Sequence, residues 1–239
     1  MNRVLIFAGG KGTRMKAENN IPKQFLKIKG KYIIIHTLEK FERCPDVDDI
    51  IVVCLQGWIS ELEKSIKEFD LKKVSKVIAG GLTGFDSRLK GLEALTDSET
   101  YDEDIVLIHD GVRPFLPSDI ITENINCAKR SGNAITVAPL NETLIYTATE
   151  PNSMFNRSNC FLARAPQTFY AKKIHDLYKR ALAEGKTELV DSATIAYHYG
   201  EPLNYVIGPE ENIKITTPLD YYIATAIIQS SDSTLDDIK

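Results

Sequence analysis

Three stretches of this chain are apolar at every position: Val-Leu-Ile-Phe at 4–7, Ile-Ile-Val-Val at 50–53 and Ile-Val-Leu-Ile at 105–108. A strand with one face in water alternates apolar and polar residues, so uninterrupted runs of this length belong to strands buried on both faces. The spacing predicts strands at Arg3–Ala8, Asp49–Leu55, Val74–Ala79, Asp104–Ile108, Ala134–Ala138 and Leu203–Ile207. Between them fall helical patterns at Tyr32–Glu42, Trp58–Phe69, Asp86–Leu95, Ser118–Arg130, Ala171–Glu184, Asp191–Tyr199 and Pro218–Gln229. That alternation predicts an α/β fold: a mostly parallel sheet with helices on both faces.

The stretch Pro139–Ala165 interrupts the rhythm. It reads as two short strands, Thr143–Thr147 and Cys160–Ala163, around the polar turn Glu150–Ser153. An inserted β-hairpin of this kind is either an arm for dimerisation or an ordinary surface hairpin. The length of 239 residues suits one large domain or two small ones, at roughly 100–200 residues each. No linker or repeat divides it, so we expect one domain over 1–229, an inserted arm at about 139–165 and a flexible tail at 230–239.

Charge and cysteine usage narrow the function classes. Twenty-nine Lys and Arg against 33 Asp and Glu leave a net charge of −4, which argues against a nucleic-acid coat. The longest apolar runs fall far below the ~18 residues of a membrane span, and no secretory leader pattern is present. Cys44, Cys54, Cys127 and Cys160 lie too far apart for a zinc or disulfide framework. Reduced thiols in a cytoplasmic protein, with no membrane and no nucleic-acid partner, are the expectation.

Directly after the first strand comes Ala8-Gly9-Gly10-Lys11-Gly12-Thr13-Arg14-Met15. Glycines at this density let the backbone bring several N–H groups against phosphate oxygens. A dinucleotide fingerprint would need glycine where Met15 stands, and the Walker pattern G-x4-G-K-[ST] is missing. The cations Lys11 and Arg14, joined by Lys23 in Pro22-Lys23-Gln24, describe a triphosphate pocket better, against the alternative of a solvated turn. At the end of the fourth strand stands His109-Asp110-Gly111-Val112-Arg113-Pro114-Phe115. Ligands of open parallel sheets bind beyond the strands' carboxyl ends, which is where Asp110 falls. Asp110 is then a metal ligand or a helix cap. Lys214, in Asn212-Ile-Lys-Ile-Thr216, is on its own no more than a surface lysine. His36 reads as a core residue, and Cys54 as packing.

Taken together these segments resemble the polyol-phosphate cytidylyltransferases, which include the methylerythritol-phosphate and ribitol-phosphate enzymes. The resemblance covers roughly residues 3–229. It rests on 8–15, Pro22-Lys23-Gln24, Gly80-Gly81 with Asp86-Ser87 and Gly91-Leu92, 109–114, Pro166-Gln167, Asp191-x-Ala193 and 212–216. It implies a Rossmann-like fold and transfer of CMP from CTP to a polyol phosphate, with Mg²⁺ as cofactor and a homodimer formed through the arm. By position it implies that Arg14, Lys23 and Lys214 are catalytic. Ala8, Gly9, Gly10 and Gly12 would hold the nucleotide's phosphates, while Gly81, Leu82 and Ser87 would face its base. Asp110 would hold the metal and the substrate hydroxyls beside Arg113, and Thr143 and Arg157 would reach the partner subunit's acceptor.

Several residues depart from the methylerythritol pattern: Gly9 for alanine, Gly84 for arginine, and Val112 for alanine. Ala165 and Val190 stand where threonine is usual. The Val-Arg-Pro-Phe form at 112–115 looks like the ribitol branch. D-Ribitol 5-phosphate is therefore the leading acceptor, methylerythritol 4-phosphate the second and another pentitol phosphate the third. A nucleotide-sugar-dependent glycosyltransferase is a remote alternative: its D-x-D metal motif can be matched here by Asp46-Val-Asp48, but that lies in a loop before a strand. A catalytically dead homologue conflicts with the presence of Arg14, Lys23, Asp110 and Lys214.

Overall fold

The computed structural model describes residues 1–10, 15, 21–147 and 153–230. Its centre is a seven-stranded sheet built from β1 (Asn2–Ala8), β4 (Asp49–Cys54), β5 (Val74–Ala79), β6 (Ile105–Asp110), β7 (Asn133–Pro139), β10 (Phe161–Tyr170) and β11 (Tyr205–Ile207). The spatial order is β11-β7-β10-β6-β1-β4-β5. Every pairing is parallel except those of β10, which runs antiparallel to both β6 and β7.

The apolar runs are buried on both faces because successive residues serve different layers. Val4, Ile6, Ile50 and Val52 pack under α1 (Ile33–Glu42), α2 (Ile59–Glu68) and α4 (Ser118–Ser131). Leu5, Ile51, Val106 and Ile108 pack under α3 (Gly84–Glu93), α5 (Ala171–Ala183) and α6 (Ser192–His198). A third cluster forms where α7 (Pro218–Ser230) covers Met15, Ile33, Val112 and Ile215. The mostly parallel α/β sandwich expected from the sequence is thus the fold observed. Cys44, Cys54, Cys127 and Cys160 are all free thiols, the first three of them buried. Among the described residues no helix is long and apolar enough to cross a membrane.

Four expectations need correction. The arm's hairpin pairs β8 (Leu144–Tyr146) with β9 (Ser153–Phe155), not with Cys160–Ala163. Residues 161–163 open the ten-residue strand β10, which inserts into the main sheet beside β7. Polar Arg164 and Gln167 and the ring of Pro166 disguise that strand, and a register shift between Ala163 and Gln167 accommodates the proline. The fourth parallel strand runs two residues past Ile108, so that Asp110 is its last residue. A small hairpin of β2 (Lys27–Ile28) and β3 (Lys31–Tyr32) turns through Lys29 and Gly30, both at positive φ, the geometry of a two-residue turn. The tail beyond Ser230 and most of the turn at 150–153 lie outside the described residues.

Candidate active site

The carboxyl ends of β1, β4, β5 and β6 open onto a cavity of about 570 Å³. Its floor is the glycine turn after β1, with Ala8, Gly9 and Gly10 in the lining. Gln24 straps that turn: its Nε2 donates to the carbonyls of Ala8 at 2.6 Å and Gly10 at 3.1 Å. Gln24 sits in a short 3-10 turn, Lys23–Phe25, entered through Pro22, and this turn delivers Lys23 to the same wall. A Cβ added at Gly10 would meet nothing within 4 Å among the described residues, so the fold itself does not demand glycine there. Gly12 and Arg14, with Lys11, lie outside the described residues.

Opposite stands the turn from β5 into α3. Thr83 caps α3, accepting from the Asp86 backbone N–H at 3.1 Å while the Asp86 carboxylate accepts from Thr83 N–H at 3.0 Å. Ser87 Oγ donates to Thr83 O at 2.9 Å and accepts from Gly81 N–H at 3.0 Å, so its hydroxyl shapes the turn. Leu82 lines the cavity with its side chain wholly in solvent, leaving its backbone to face a ligand. At Gly81 a Cβ would come within 2.3 Å of the Asp86 Cβ, an impossible distance. Gly81→Ala is therefore expected to push the turn open, lowering the melting temperature and raising the nucleotide KM together. Gly10→Ala should raise that KM with an unchanged melting temperature. Thermal unfolding and initial-rate titrations check the contrast.

The third wall carries the charges. Asp110 Oδ1 accepts from Lys214 Nζ at 2.7 Å, and Oδ2 accepts from Arg113 Nε at 2.8 Å. Arg113 also donates through Nη1 to the Asn212 carbonyl at 2.9 Å, tying the β6 loop to the segment that carries Lys214. Burial alone would raise the pKa of Asp110. The adjacent charges of Lys214 and Arg113 and their hydrogen bonds outweigh it, holding the carboxyl well below its ordinary range. The residue is an anion at every pH of interest. Its neighbour His109 is pushed down to about 4 by burial and points to the opposite layer, edge-on to Phe41 at 5.0 Å. The Cys54 thiol is pushed up to about 12 by burial. Neither is poised as a base or nucleophile, whereas the lining offers fixed cations and backbone N–H groups to a polyanion.

A smaller cavity of about 150 Å³ adjoins the first, sharing Phe7, Arg88, Asp110 and Lys214 with it. Arg113 lines this one, together with Arg164 and Gln167 of β10. Sequence reasoning missed Arg88 and Arg164; Arg164 was hidden inside a stretch read as the arm. The arm residues Thr143 and Arg157 are exposed and line neither cavity. Arg157 donates to the Asn141 carbonyl at 3.0 Å within the arm itself.

Comparison with known proteins agrees with this arrangement. The sequence profile of the 2-C-methyl-D-erythritol 4-phosphate cytidylyltransferase family (IspD) matches residues 3–230. The ribitol-5-phosphate cytidylyltransferase of Vibrio parahaemolyticus is 44% identical over 235 residues, covering 98% of each chain. The 2-C-methyl-D-erythritol 4-phosphate cytidylyltransferase of Geotalea uraniireducens is 38% identical over 236 residues, covering 96% of this chain and 97% of its own. The crystal structure of 4-diphosphocytidyl-2C-methyl-D-erythritol synthase from Anaerococcus prevotii superposes with a TM-score of 0.81 at 25% identity over 96% of each chain. The chain therefore belongs to the 2-C-methyl-D-erythritol 4-phosphate cytidylyltransferase family, and is a nucleotidyltransferase of the cytidylyltransferase kind.

Proposed function

We propose that this enzyme transfers CMP from CTP to D-ribitol 5-phosphate, giving CDP-ribitol and pyrophosphate. The likeness to the Vibrio parahaemolyticus ribitol enzyme, closer over the full chain than that to the Geotalea uraniireducens methylerythritol enzyme, carries the choice of acceptor. The larger cavity takes CTP, with its phosphates along the turn at Ala8–Gly10 and its base against the Gly81–Ser87 turn. The family resemblance assigns Gly12 to the same phosphates and Arg14 to the catalytic set. An acceptor phosphate oxygen attacks the α-phosphorus in line, the bond to the β-phosphate oxygen breaks, and pyrophosphate leaves. That nucleophile is already anionic, so the site needs no general base. Lys23 and Lys214 neutralise the charge that builds at the α-phosphate.

Asp110 suits Mg²⁺. A single ionised carboxylate on the nucleotide wall, with lone pairs left after its two ion pairs, matches a cation that takes one or two protein oxygens and completes its shell from phosphates and water. Among the described residues no cluster of three acidic, His or Cys side chains forms a cage, so the ion arrives with the nucleotide. When bound it supplies further neutralisation of the phosphates. The free thiols suit a reducing, cytoplasmic setting.

The arm is the dimerisation element in this reading. Its hairpin exposes Leu144, Ile145, Tyr146, Met154 and Phe155, an apolar surface in need of a cover. Thr143 and Arg157 then reach the partner's acceptor. Mixing inactive Lys23→Ala and Arg157→Ala homodimers under subunit exchange should restore up to about a quarter of wild-type activity, because half the dimers are mixed and each holds one intact site. A fully active monomer contradicts the shared site. For the acceptor, pyrophosphate release should be at least tenfold more efficient, in kcat/KM, with D-ribitol 5-phosphate than with methylerythritol 4-phosphate or xylitol 5-phosphate, a gap of about 1.4 kcal/mol. The reverse order would transfer the assignment to the other acceptor.

A further inference from the structure

The smaller cavity holds more positive charge than its own carboxylates can balance. Arg88, Arg113, Arg164 and Lys214 line it against two carboxylates, Asp110 and Asp191. Asp110 is already spanned by Arg113 and Lys214. Asp191 is spent on the start of α6, where it accepts from the backbone and hydroxyl of Thr194 at 2.8 and 2.7 Å and from Gln167 at 3.1 Å. Among the described residues no carboxylate lies within ion-pair distance of Arg164 or Arg88. Glu210 acts on Arg164 from outside the lining, and the positive charge that the lining carboxylates leave over suits a phosphomonoester, which is a dianion above its second pKa of about 6.

Arg164 owes its position to the irregularity in β10. At the register shift between Ala163 and Gln167 the strand's alternation is interrupted, and the consecutive residues Ala163, Arg164 and Ala165 all line the cavity. Its Nη1 donates to the Asn212 carbonyl at 2.7 Å, the same oxygen that accepts from Arg113 Nη1 at 2.9 Å. Asn212 Nδ2 in turn donates to the Ala165 carbonyl at 2.7 Å, closing a clasp around both guanidiniums. Asp110 neutralises Arg113, whereas Arg164, held against the same oxygen, has no carboxylate at ion-pair distance among the described residues. Burial, and then the charge of Arg113, lower the proton affinity of Arg164, while a guanidinium stays charged throughout. One N–H of its five is used by the clasp, and the rest of the fork remains for phosphate oxygens. Ala163, Ala165 and Val190, which complete this part of the wall, carry no side-chain donor.

We infer that Arg164 grips the acceptor's phosphate and so sets the affinity for the acceptor in this enzyme, the smaller cavity being the seat of a phosphomonoester dianion. The inference rests on the reading that a phosphorylated polyol is the acceptor. A phosphate seated there faces the larger cavity across Lys214 and Asp110, which border both.

The test is a KM split. Losing one charged hydrogen-bonding group to a phosphate should raise the acceptor KM of Arg164→Ala by about 10–100-fold, with the CTP KM within about twofold of wild type. Arg164→Lys, which keeps the charge but not the fork, should recover part of the loss. If Arg164 only braces the Asn212 loop, both KM values rise together, the melting temperature falls and Arg164→Lys rescues neither; that pattern overturns the inference. Binding of inorganic phosphate without nucleotide, followed by calorimetry, separates this claim from the choice of acceptor. If no polyol phosphate in a panel is turned over, the acceptor reading fails. Arg164 is even then upheld by phosphate binding that Arg164→Ala abolishes, and overturned by binding that the variant retains.

Discussion

Lys23→Ala should lower kcat by about 10²–10³-fold at saturating CTP and acceptor, the scale of loss when one charge-stabilising group is removed from a preorganised site. Lys23 is nearly buried, at 9% exposure, and is fixed on the cavity wall by the turn that Pro22 initiates. The strap holding the glycine turn runs through Gln24, whose two hydrogen bonds the variant keeps. The loss should therefore fall on kcat, with a melting temperature and circular dichroism spectrum like those of the wild type. Lys23→Arg should recover only part of the rate, because a planar guanidinium cannot place its charge where a compact ammonium does. A kcat within about threefold of wild type at saturation would remove Lys23 from the transition state.

Asp110→Asn is expected to have the second large effect, on rate and stability together. The amide keeps the volume but not the charge that Arg113 and Lys214 share, and Arg113 is largely enclosed. Activity should fall by about 10²-fold or more, and the Mg²⁺ concentration for half-maximal rate should rise. Stability should fall by about 1–3 kcal/mol, the usual cost of leaving a charged donor without its partner. The pH dependence has a defined sign. The carboxyl titrates below its ordinary 3.8 in the folded protein, so its stabilising contribution is complete above about pH 4 and is given up only in stronger acid. The stability gap between wild type and Asp110→Asn should be constant from about pH 5 to 9 and narrow below pH 4. Denaturant titrations across that range decide it; a gap that changes near neutrality would mean that Asp110 is not the ionised centre of this wall.

The parts of this architecture that were legible in the sequence are those where one physical demand dominates. Val4–Phe7 and Ile50–Val53 must satisfy a helical layer on each face, and an unbroken apolar run is the direct trace of that. The glycine turn and Asp110 were legible because strand ends in such sheets point at ligands. What stayed hidden serves two demands at once. Strand β10 must pair with β6 and β7 while presenting Arg164 and Gln167 to a charged cavity and accommodating Pro166, so its residues imitate a loop. Within 139–165 the strand pairing differs from the one the sequence suggests. Met154–Phe155, which pairs with β8, is too short to register, and the more apolar segment after Cys160 looked like the partner. Lys214 resembled an ordinary surface lysine because its partner, Asp110, is 104 residues away in the chain.

The central claim is that an oxygen of the acceptor's phosphate attacks the α-phosphorus of CTP, and its most direct test follows the oxygen atoms. D-Ribitol 5-phosphate carrying ¹⁸O in its phosphate is incubated with CTP, Mg²⁺ and enzyme, and both products are read by ³¹P NMR and mass spectrometry. The account predicts one pyrophosphate per CDP-ribitol, with all the label in CDP-ribitol, including the oxygen bridging its two phosphorus atoms, and none in pyrophosphate. Label appearing in pyrophosphate, or pyrophosphate released at the same rate with no acceptor present, would contradict it.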